Sequence, residues 1–288
     1  MRHRPARGLL AWTVFVAAAF VSRGAIPAHA QEQAETLALL LKKVGASTQA
    51  FVDNLTNVVA EEQYTQRFRK LAPSRRLKSD FLLVRYPGEE RVFLTFRDVL
   101  EVDGRPVQDQ QARVLKLFTE PYQDAVRRAA EIQRAGAGHS LPRGRLSDPL
   151  SLLAFLQEDY QKNFVFKLRG FERSLGADVR ELELEQVIEP GTSQLPIRGS
   201  VWVSFATGQV AKTELRTGIG SGVRFTTTSF GVDPALRVLV PTEMRDAVPI
   251  SADDEFLGVA KYGNFRRFKV QAAQEVELPP DPPGATPR

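Results

Sequence analysis

The sequence contains few side chains that could form a catalytic or cofactor site. It has no cysteine, and His139 is the one histidine after residue 30. A serine nucleophile needs a histidine base, yet His139 lies in a glycine-rich segment and no Gly-x-Ser-x-Gly motif is present. Zinc needs three or four His, Cys or carboxylate ligands. The glycines at 218–222 precede a predicted strand, whereas a phosphate loop precedes a helix. We therefore predict no triad, no metal and no cofactor.

Carboxylates are the remaining candidates for acid–base chemistry, in clusters at 61–62, 158–159 and 253–255. Neighbouring carboxylates on a strand point to opposite faces, so Glu61 and Glu62 are poor acid–base partners. The cluster at 253–255 falls in a predicted turn and lacks the ligand spacing of an EF-hand loop. Solvated charge is the favoured interpretation of all three clusters. Glu62 is the exception, because it interrupts an apolar face and needs a partner if it is buried.

Residues 1–30 have the features of a secretory signal peptide. Three arginines precede a 14-residue apolar run, GLLAWTVFVAAAFV, and Ala-His-Ala at 28–30 matches a cleavage site. The run is shorter than the roughly 20 apolar residues of a membrane span. These residues hold four of the 39 basic and none of the 34 acidic residues, which leaves 35 against 34. We therefore predict cleavage near Ala30, a periplasmic or secreted protein, and no nucleic-acid partner.

The rest of the chain alternates between apolar and polar residues in the manner of β-strands. A first helix is predicted at 35–55, where apolar residues recur at three- and four-residue intervals. Sequential pairing of the strands gives an antiparallel meander, and a sheet of about ten strands curls rather than staying flat. The predicted strands are 56–69, 77–85, 90–97, 164–172, 178–188, 200–206, 209–217, 223–232, 238–248 and 256–270.

Two helical segments are predicted midway, at 121–135 and 149–156. Asp148-Pro149 combines an N-cap residue with proline at the first helical position. The segment LSLLAFL at 150–156 is apolar on nearly all sides, so it must be buried or cover something apolar. We therefore predict a helical lid at about 120–158. The Pro-rich tail 275–288 is predicted to be disordered, which leaves 31–274 as a single domain.

A hairpin is predicted at 199–217, GSVWVSFATGQVAKTELRT, around a Thr-Gly turn. With a two-residue turn, Trp202 shares a face with Thr213 and Leu215, and the next strand adds Phe230. Small and hydroxylated residues on that face leave space that Val, Leu and Ile would fill. The pattern fits a partly unfilled cavity, and it also fits a helix packed against small residues.

The segments VWVSFATGQVAKTELR at 201–216, VPTEMRD at 240–246 and YGNFRRFKV at 262–270 accompany the leader, the first helix and the midway helices. Together they resemble the periplasmic lipoprotein-carrier (LolA-like) superfamily of outer-membrane lipoprotein-sorting proteins, over most of 35–270. The resemblance implies an incomplete β-barrel whose helices cover a hydrophobic cavity that accepts acyl chains. Related proteins act as lipoprotein sensors. This chain is longer than the simple carriers and has an additional loop at 98–120.

We therefore expect an α+β fold that is mainly β, in which helices cover the concave face of a curled antiparallel sheet forming an incomplete barrel. The expected function is non-enzymatic binding of a lipid, lipoprotein or other amphiphile between sheet and lid, with peripheral membrane contact compatible. The alternative is an envelope protein–protein interaction or sensor module with a filled core, and a carboxylate hydrolase is a third hypothesis. The expected ligand-binding residues are Leu150, Leu153, Phe155, Trp202, Leu215 and Phe230.

Overall fold

The structure, a computed structural model, describes eight stretches of the chain: 28–55, 58–85, 93–107, 122–141, 147–188, 196–218, 223–251 and 253–267. The chain divides into two compact units, Met1–Thr36 and Leu37–Arg288. Nearly all of the predicted leader and the whole Pro-rich tail lie outside the described residues. No helix in the described stretches is long and apolar enough to cross a membrane.

Four helices and eleven strands make up the described structure. The helices are α1 (Ala28–Leu55), α2 (Tyr122–Gly138), α3 (Ser151–Ala154) and α4 (Glu158–Gln161). The strands are β1 (Val58–Phe68), β2 (Ser74–Arg85), β3 (Phe93–Val102), β4 (Arg105–Pro106), β5 (Phe164–Phe171), β6 (Val179–Gln186), β7 (Arg198–Ser204), β8 (Val210–Thr217), β9 (Arg224–Val232), β10 (Leu239–Pro249) and β11 (Glu255–Arg267).

All eleven strands form one antiparallel sheet with the order β4-β3-β2-β1-β11-β10-β9-β8-β7-β6-β5. Two meanders, β1 to β4 and β5 to β11, meet where the first long strand pairs with the last. The end strands β4 and β5 do not pair with each other, so the sheet stays open. The predicted fold class, an unclosed antiparallel sheet with a few helices, is confirmed.

One face of the sheet, which we call the inner face, carries the core. A row of directly paired residues crosses it from β2 to β6 and stays buried throughout. Helix α1 and the short helix α3 add their apolar side chains to the same core cluster. The row consists of Leu77, Tyr64, Ala260, Met244, Thr228, Thr213, Val201 and Leu182.

The predicted position of Trp202 on the face of Thr213 and Leu215 is wrong. Val203 pairs with Val210 and Trp202 with Lys212, so β8 carries one extra residue at a bulge. A bulge of one residue moves the following side chains to the other face. Trp202 therefore lies on the outer face, where the Lys212 ammonium sits 4.4 Å from its ring centroid.

The midway helices differ from the predicted segments in their limits. Helix α2 continues to Gly138, beyond the predicted end at 135, and α3 begins at Ser151 rather than at 149. The Asp148 carboxylate accepts a hydrogen bond from the Leu150 N–H at 2.8 Å, so it caps the turn that precedes the helix. Asp103 and Gly104 form the turn between β3 and β4, and both have positive φ.

Candidate functional site

A buried ion pair lies on the inner face between β1 and β3. Glu62 is fully buried and Arg97 is 4% exposed. Both Glu62 oxygens accept hydrogen bonds from Arg97, one from Nε and one from Nη2 at 2.6 Å. The expectation that Glu62 needs a partner is confirmed, and the bidentate geometry is the strongest that these groups can form.

Aromatic rings surround the Arg97 guanidinium. Its centre lies 5.6 Å from the ring centroid of Tyr64 and 6.0 Å from that of Phe81, within the range of cation–π attraction. Burial alone would lower the pKa of Arg97, but the Glu62 carboxylate more than compensates, so the pKa lies above its ordinary value. The guanidinium therefore remains charged inside the core.

A second buried polar group joins β1 to β10 and β9. The Tyr64 hydroxyl donates to Asp246 Oδ2 at 2.6 Å, and the Thr226 hydroxyl donates to Oδ1 at 2.8 Å. The Tyr64 ring passes over Gly258, where an added Cβ would lie 2.6 Å from the hydroxyl oxygen. Burial and the Asp246 carboxylate raise the pKa of Tyr64 well above its ordinary value. This group fixes the centre of the sheet.

Side chains of the sheet hold the start of the lid. Arg97 Nη2 donates to the Ser147 carbonyl at 3.1 Å, and the Thr95 hydroxyl donates to Asp148 Oδ2 at 2.5 Å. Burial raises the pKa of Asp148, although the hydrogen bonds from Thr95 and Leu150 act in the opposite direction. The segment that precedes α3 is therefore attached to β3.

The end of the lid is attached to helix α1 through one side chain. Gln161 Nε2 donates to the Leu156 carbonyl at 2.7 Å and to the Leu41 carbonyl at 3.0 Å. Gly45 allows this approach, because an added Cβ would lie 3.2 Å from that nitrogen. The lid is thus joined at both ends by side-chain hydrogen bonds to backbone carbonyls.

Five of the six predicted ligand-binding residues lie together on the inner side of the sheet. Leu150 and Leu153 are buried lid residues, and Phe155 packs on Phe164 with ring centroids 5.0 Å apart. Leu215 and Phe230 pack against the same core cluster from the sheet. Trp202 lies on the outer face and is not brought together with the other five.

The lid presses directly on the sheet beside Leu215. Leu215 pairs with Gly199, and an added Cβ at Gly199 would lie 2.9 Å from Leu152 Cδ1. The missing side chain of Gly199 is therefore what lets the lid approach β7. The described lid therefore lies directly on the inner face at this position.

A cavity of about 360 Å³ lies between α2, β3 and the start of the lid. Strand β3 pairs with the two-residue β4 through Glu101 and Val102, and Thr95, Phe96 and Arg97 of the same strand line this cavity. We call it the α2–β3 cavity. It is lined by Phe81, Thr95, Phe96, Arg97, Ala130, Gln133, Arg134, Ala137, Ser147 and Asp148.

The candidate catalytic residues are not assembled into a site. Glu255 pairs with Arg69, and Lys78 lies 3.7 Å from Glu61. The backbone carbonyl of His139 accepts from Arg75 Nη1 at 2.7 Å at the end of α2. Among the described residues, no group of three or more acidic or histidine side chains could hold a metal ion.

The sequence did not predict Arg97 as a functional candidate. It interrupts the alternation of apolar residues along β3 in the same way that Glu62 interrupts the apolar face of β1. Two opposite charges on apolar strand faces are a signal that they pair, because neither is tolerated alone in a core. Their meeting also required the register of β2 between them, which the sequence does not specify.

The chain matches no family model and no curated protein in sequence comparisons. It is similar in structure to a LolA superfamily protein from Nitrosomonas europaea, at 12% identity and TM-score 0.37, over 79% of this chain and 93% of that one. It is also similar in structure to a DUF1329 family protein from Desulfovibrio piger, at 13% identity and TM-score 0.43, over 84% of this chain and 94% of that one. A third similar structure is a domain described as an outer membrane lipoprotein-sorting protein from Vibrio parahaemolyticus. It has 10% identity and TM-score 0.39, over 83% of this chain and 94% of that one.

Proposed function

We propose that this protein binds the hydrocarbon part of a lipid, lipoprotein or other amphiphile between the inner face and the lid. The observation that carries the proposal is the construction of the lid, 147–161. Its helices are very short, its leucines are buried against the sheet, and its ends are held by a few side-chain hydrogen bonds. Such a segment can leave the inner face without unfolding the sheet beneath it.

Displacement of the lid would expose apolar surface that a ligand tail can cover again. Each methylene group moved out of water contributes about 0.8 kcal/mol, so a long acyl chain can replace the burial that the lid leucines lose. Leu150, Leu153 and Phe155 would then contact the tail from the lid, and Leu215 and Phe230 from the sheet. The sequence resemblance to lipoprotein carriers supports the same ligand class.

We assign this function to the envelope, with the leader removed near Ala30 and the mature chain in the periplasm or outside the cell. A lipid or lipoprotein is the proposed cargo, and a protein of the envelope would deliver or receive it. No catalytic step is part of the proposal, and the carboxylates of Glu62 and Asp148 at the start of the lid are bound to Arg97 and Thr95.

Uptake of a fluorescent fatty acid tests the proposal with a matched pair of variants. Leu215→Gln changes an inner-face side chain beside the lid, and Trp202→Gln changes an aromatic side chain on the outer face. We expect the first to weaken uptake severalfold and the second to leave it unchanged, with circular dichroism confirming both folds. Absence of uptake by the wild-type protein, together with absence of co-purified lipid in native mass spectrometry, would refute the proposal.

A protein-interaction module is the second candidate, and an outer-face groove favours it. This groove, of about 430 Å³, lies beside the edge strand β5 and is lined in part by Val165, Lys167 and Arg198. Val165 and Val187, which also lines it, are 52% and 59% exposed. If the wild-type protein takes up no amphiphile, this surface becomes the leading site.

A further inference from the structure

We infer that the α2–β3 cavity binds the anionic head group of the amphiphile, a carboxylate or a phosphate, while the tail enters the inner face. This inference rests on the proposed function, and it adds the charge class of the ligand and the residues that select it. Its basis is the position of the cavity, the hydrogen-bond donors on its walls and the state of the acids near it.

The position of the cavity suits a head group, because residues of the inner face and the start of the lid line it together. Phe81 and Arg97 line it, and both also take part in the inner-face core and its ion pair. Ser147 and Asp148, which begin the lid, form another wall. A tail under the lid would therefore continue directly into this cavity. Its volume is at the small end of ligand pockets and suits a head group rather than a whole lipid.

Arg97 has donor capacity that the core does not use. A guanidinium carries five N–H groups. Nε and Nη2 serve Glu62 and the Ser147 carbonyl. In the described part of the chain, no hydrogen bond leaves Nη1, and Arg97 lines the cavity. Because Glu62 already holds the group in position, Nη1 is a preorganised donor for an anion.

Helix α2 supplies the opposite wall. Its cavity-lining residues, Ala130, Gln133, Arg134 and Ala137, recur at helical spacing and form one face. Gln133 Nε2 donates to the Thr95 carbonyl at 2.9 Å and fixes this face against β3. Arg134 bonds the Ala130 carbonyl through Nε, so its Nη atoms can turn toward the cavity. The two alanines leave the space that the ligand would fill.

The acids of the cavity do not cancel this preference. Four charged groups face it or support it: Arg97, Arg134, Glu62 and Asp148. Both Glu62 oxygens accept hydrogen bonds from Arg97. Both Asp148 oxygens accept hydrogen bonds, from the Thr95 hydroxyl and the Leu150 N–H, so this carboxylate is already engaged within the protein. The guanidinium groups of Arg97 and Arg134 are therefore the charges that a ligand would meet.

Binding of three ligands with the same tail tests the inference: laurate, dodecyl phosphate and the uncharged dodecanol. We expect both anions to bind about ten-fold more tightly than dodecanol, the effect of a charge-assisted hydrogen bond. The relative affinity of laurate and dodecyl phosphate then identifies the preferred head group. Arg134→Gln and Ala130→Glu should remove most of the preference without weakening dodecanol. Arg127→Gln, an exposed change on the same helix outside the cavity, is the control.

Three results would overturn the inference, and they can be told apart. Equal affinity for anions and dodecanol would reject the head-group site and leave the proposed function intact. A preference for anions that Arg134→Gln and Arg127→Gln leave unchanged would reject this cavity as its location. Binding of none of the three ligands would reject the proposed function itself. Both arginine changes are at exposed helix positions, so all variants can be compared as folded proteins.

Discussion

The Glu62–Arg97 pair is a buried, bidentate ion pair whose disruption carries a large cost. Removal of one partner leaves an uncompensated buried charge, which costs about 3–5 kcal/mol, whereas an apolar replacement of both is far better tolerated. We therefore expect Arg97→Met to destabilise the protein strongly and the double change Glu62→Leu with Arg97→Met to recover much of the loss.

Urea unfolding followed by circular dichroism measures both free energies. With Glu62→Leu as the second single variant, the comparison is a double-mutant cycle, in which general effects of the substitutions on packing cancel from the coupling energy. A double variant that is less stable than Arg97→Met alone would contradict the account, because it would mean that the two residues do not depend on each other.

We expect the folded protein to lose stability at alkaline pH because Tyr64 and Tyr262 are buried. Burial is the main cause that raises the pKa of each well above the ordinary value, and the Asp246 and Glu62 carboxylates add to it respectively. The unfolded chain releases these protons near pH 10 and the folded chain retains them, so stability is complete below about pH 10 and falls above it.

Absorbance near 295 nm during titration checks this prediction. The chain has five tyrosines, and we expect Tyr64 and Tyr262 to ionise only as the protein unfolds. Tyr160 is 47% exposed, so Tyr160→Phe should remove a phenol without changing the alkaline transition. Ionisation of every tyrosine in the folded protein would contradict the buried positions of Tyr64 and Tyr262.

Individual residues mark the limit of what the sequence could predict. The need of Glu62 for a partner followed from one strand, because alternation alone assigns it to an apolar face. The identity of the partner did not, because Arg97 is two strands away. The predicted face of Trp202 was wrong for a related reason. A bulge in β8 reverses the alternation, and no residue type in that segment indicates a bulge.

At the scale of elements, the β7–β8 turn is fixed by contact with helix α1. Gly208 has φ +74° and an added Cβ there would lie 2.4 Å from the Lys43 carbonyl carbon. Lys43 Nζ donates in return to the Phe205 carbonyl at 3.2 Å. The hairpin and the helix therefore approach closely enough that only glycine fits.

Gly104 and Gly208 have similar φ angles, so a comparison of the two separates the cost of backbone strain from the cost of a steric clash. Gly104 has φ +79° and nothing within 4 Å of an added Cβ, so Gly104→Ala should cost about 1 kcal/mol for the left-handed conformation alone. Gly208→Ala adds a backbone clash and should cost clearly more, with faster hydrogen exchange in α1. Equal losses in thermal or urea unfolding would show that α1 does not rest on this turn.

Most helices and strands could be predicted from the sequence, and the lid is the main exception. Strong alternation predicted every long strand, since an antiparallel sheet with one buried face imposes a period of two. Within the predicted lid at about 120–158, one helix was predicted at 149–156, but only Ser151–Ala154 is helical there. Gln157 is extended, and a second single turn follows at Glu158–Gln161. Propensity does not reveal that interruption, which tertiary contacts through Gln161 stabilise.

At the scale of the molecule, the order of the strands was beyond the sequence. A meander was predicted, in which only neighbouring strands in sequence pair. In the structure the first strand, β1, also pairs with the last strand, β11, in the interior of the sheet. That arrangement places β3 and its ion pair near the lid, and it leaves β4 and β5 as the edges. The site therefore depends on a contact between strands nearly 200 residues apart, which local patterns do not encode.

For a tail to enter, the lid must leave the inner face. A disulfide can prevent this, because an added Cβ at Gly45 lies 3.6 Å from the Cβ of Glu158, within the range for cysteine pairs. The chain has no cysteine of its own, so Gly45→Cys with Glu158→Cys creates one bond between α1 and the lid helix α4.

Uptake of a fluorescent fatty acid by this double variant, oxidised and then reduced, is the most direct measurement. We predict uptake in the reduced form, a loss of at least about ten-fold on oxidation, and recovery after reduction, because the same molecule is locked and released. Each single cysteine variant is the control for the substitutions themselves. Equal uptake by the oxidised and reduced forms would contradict the account.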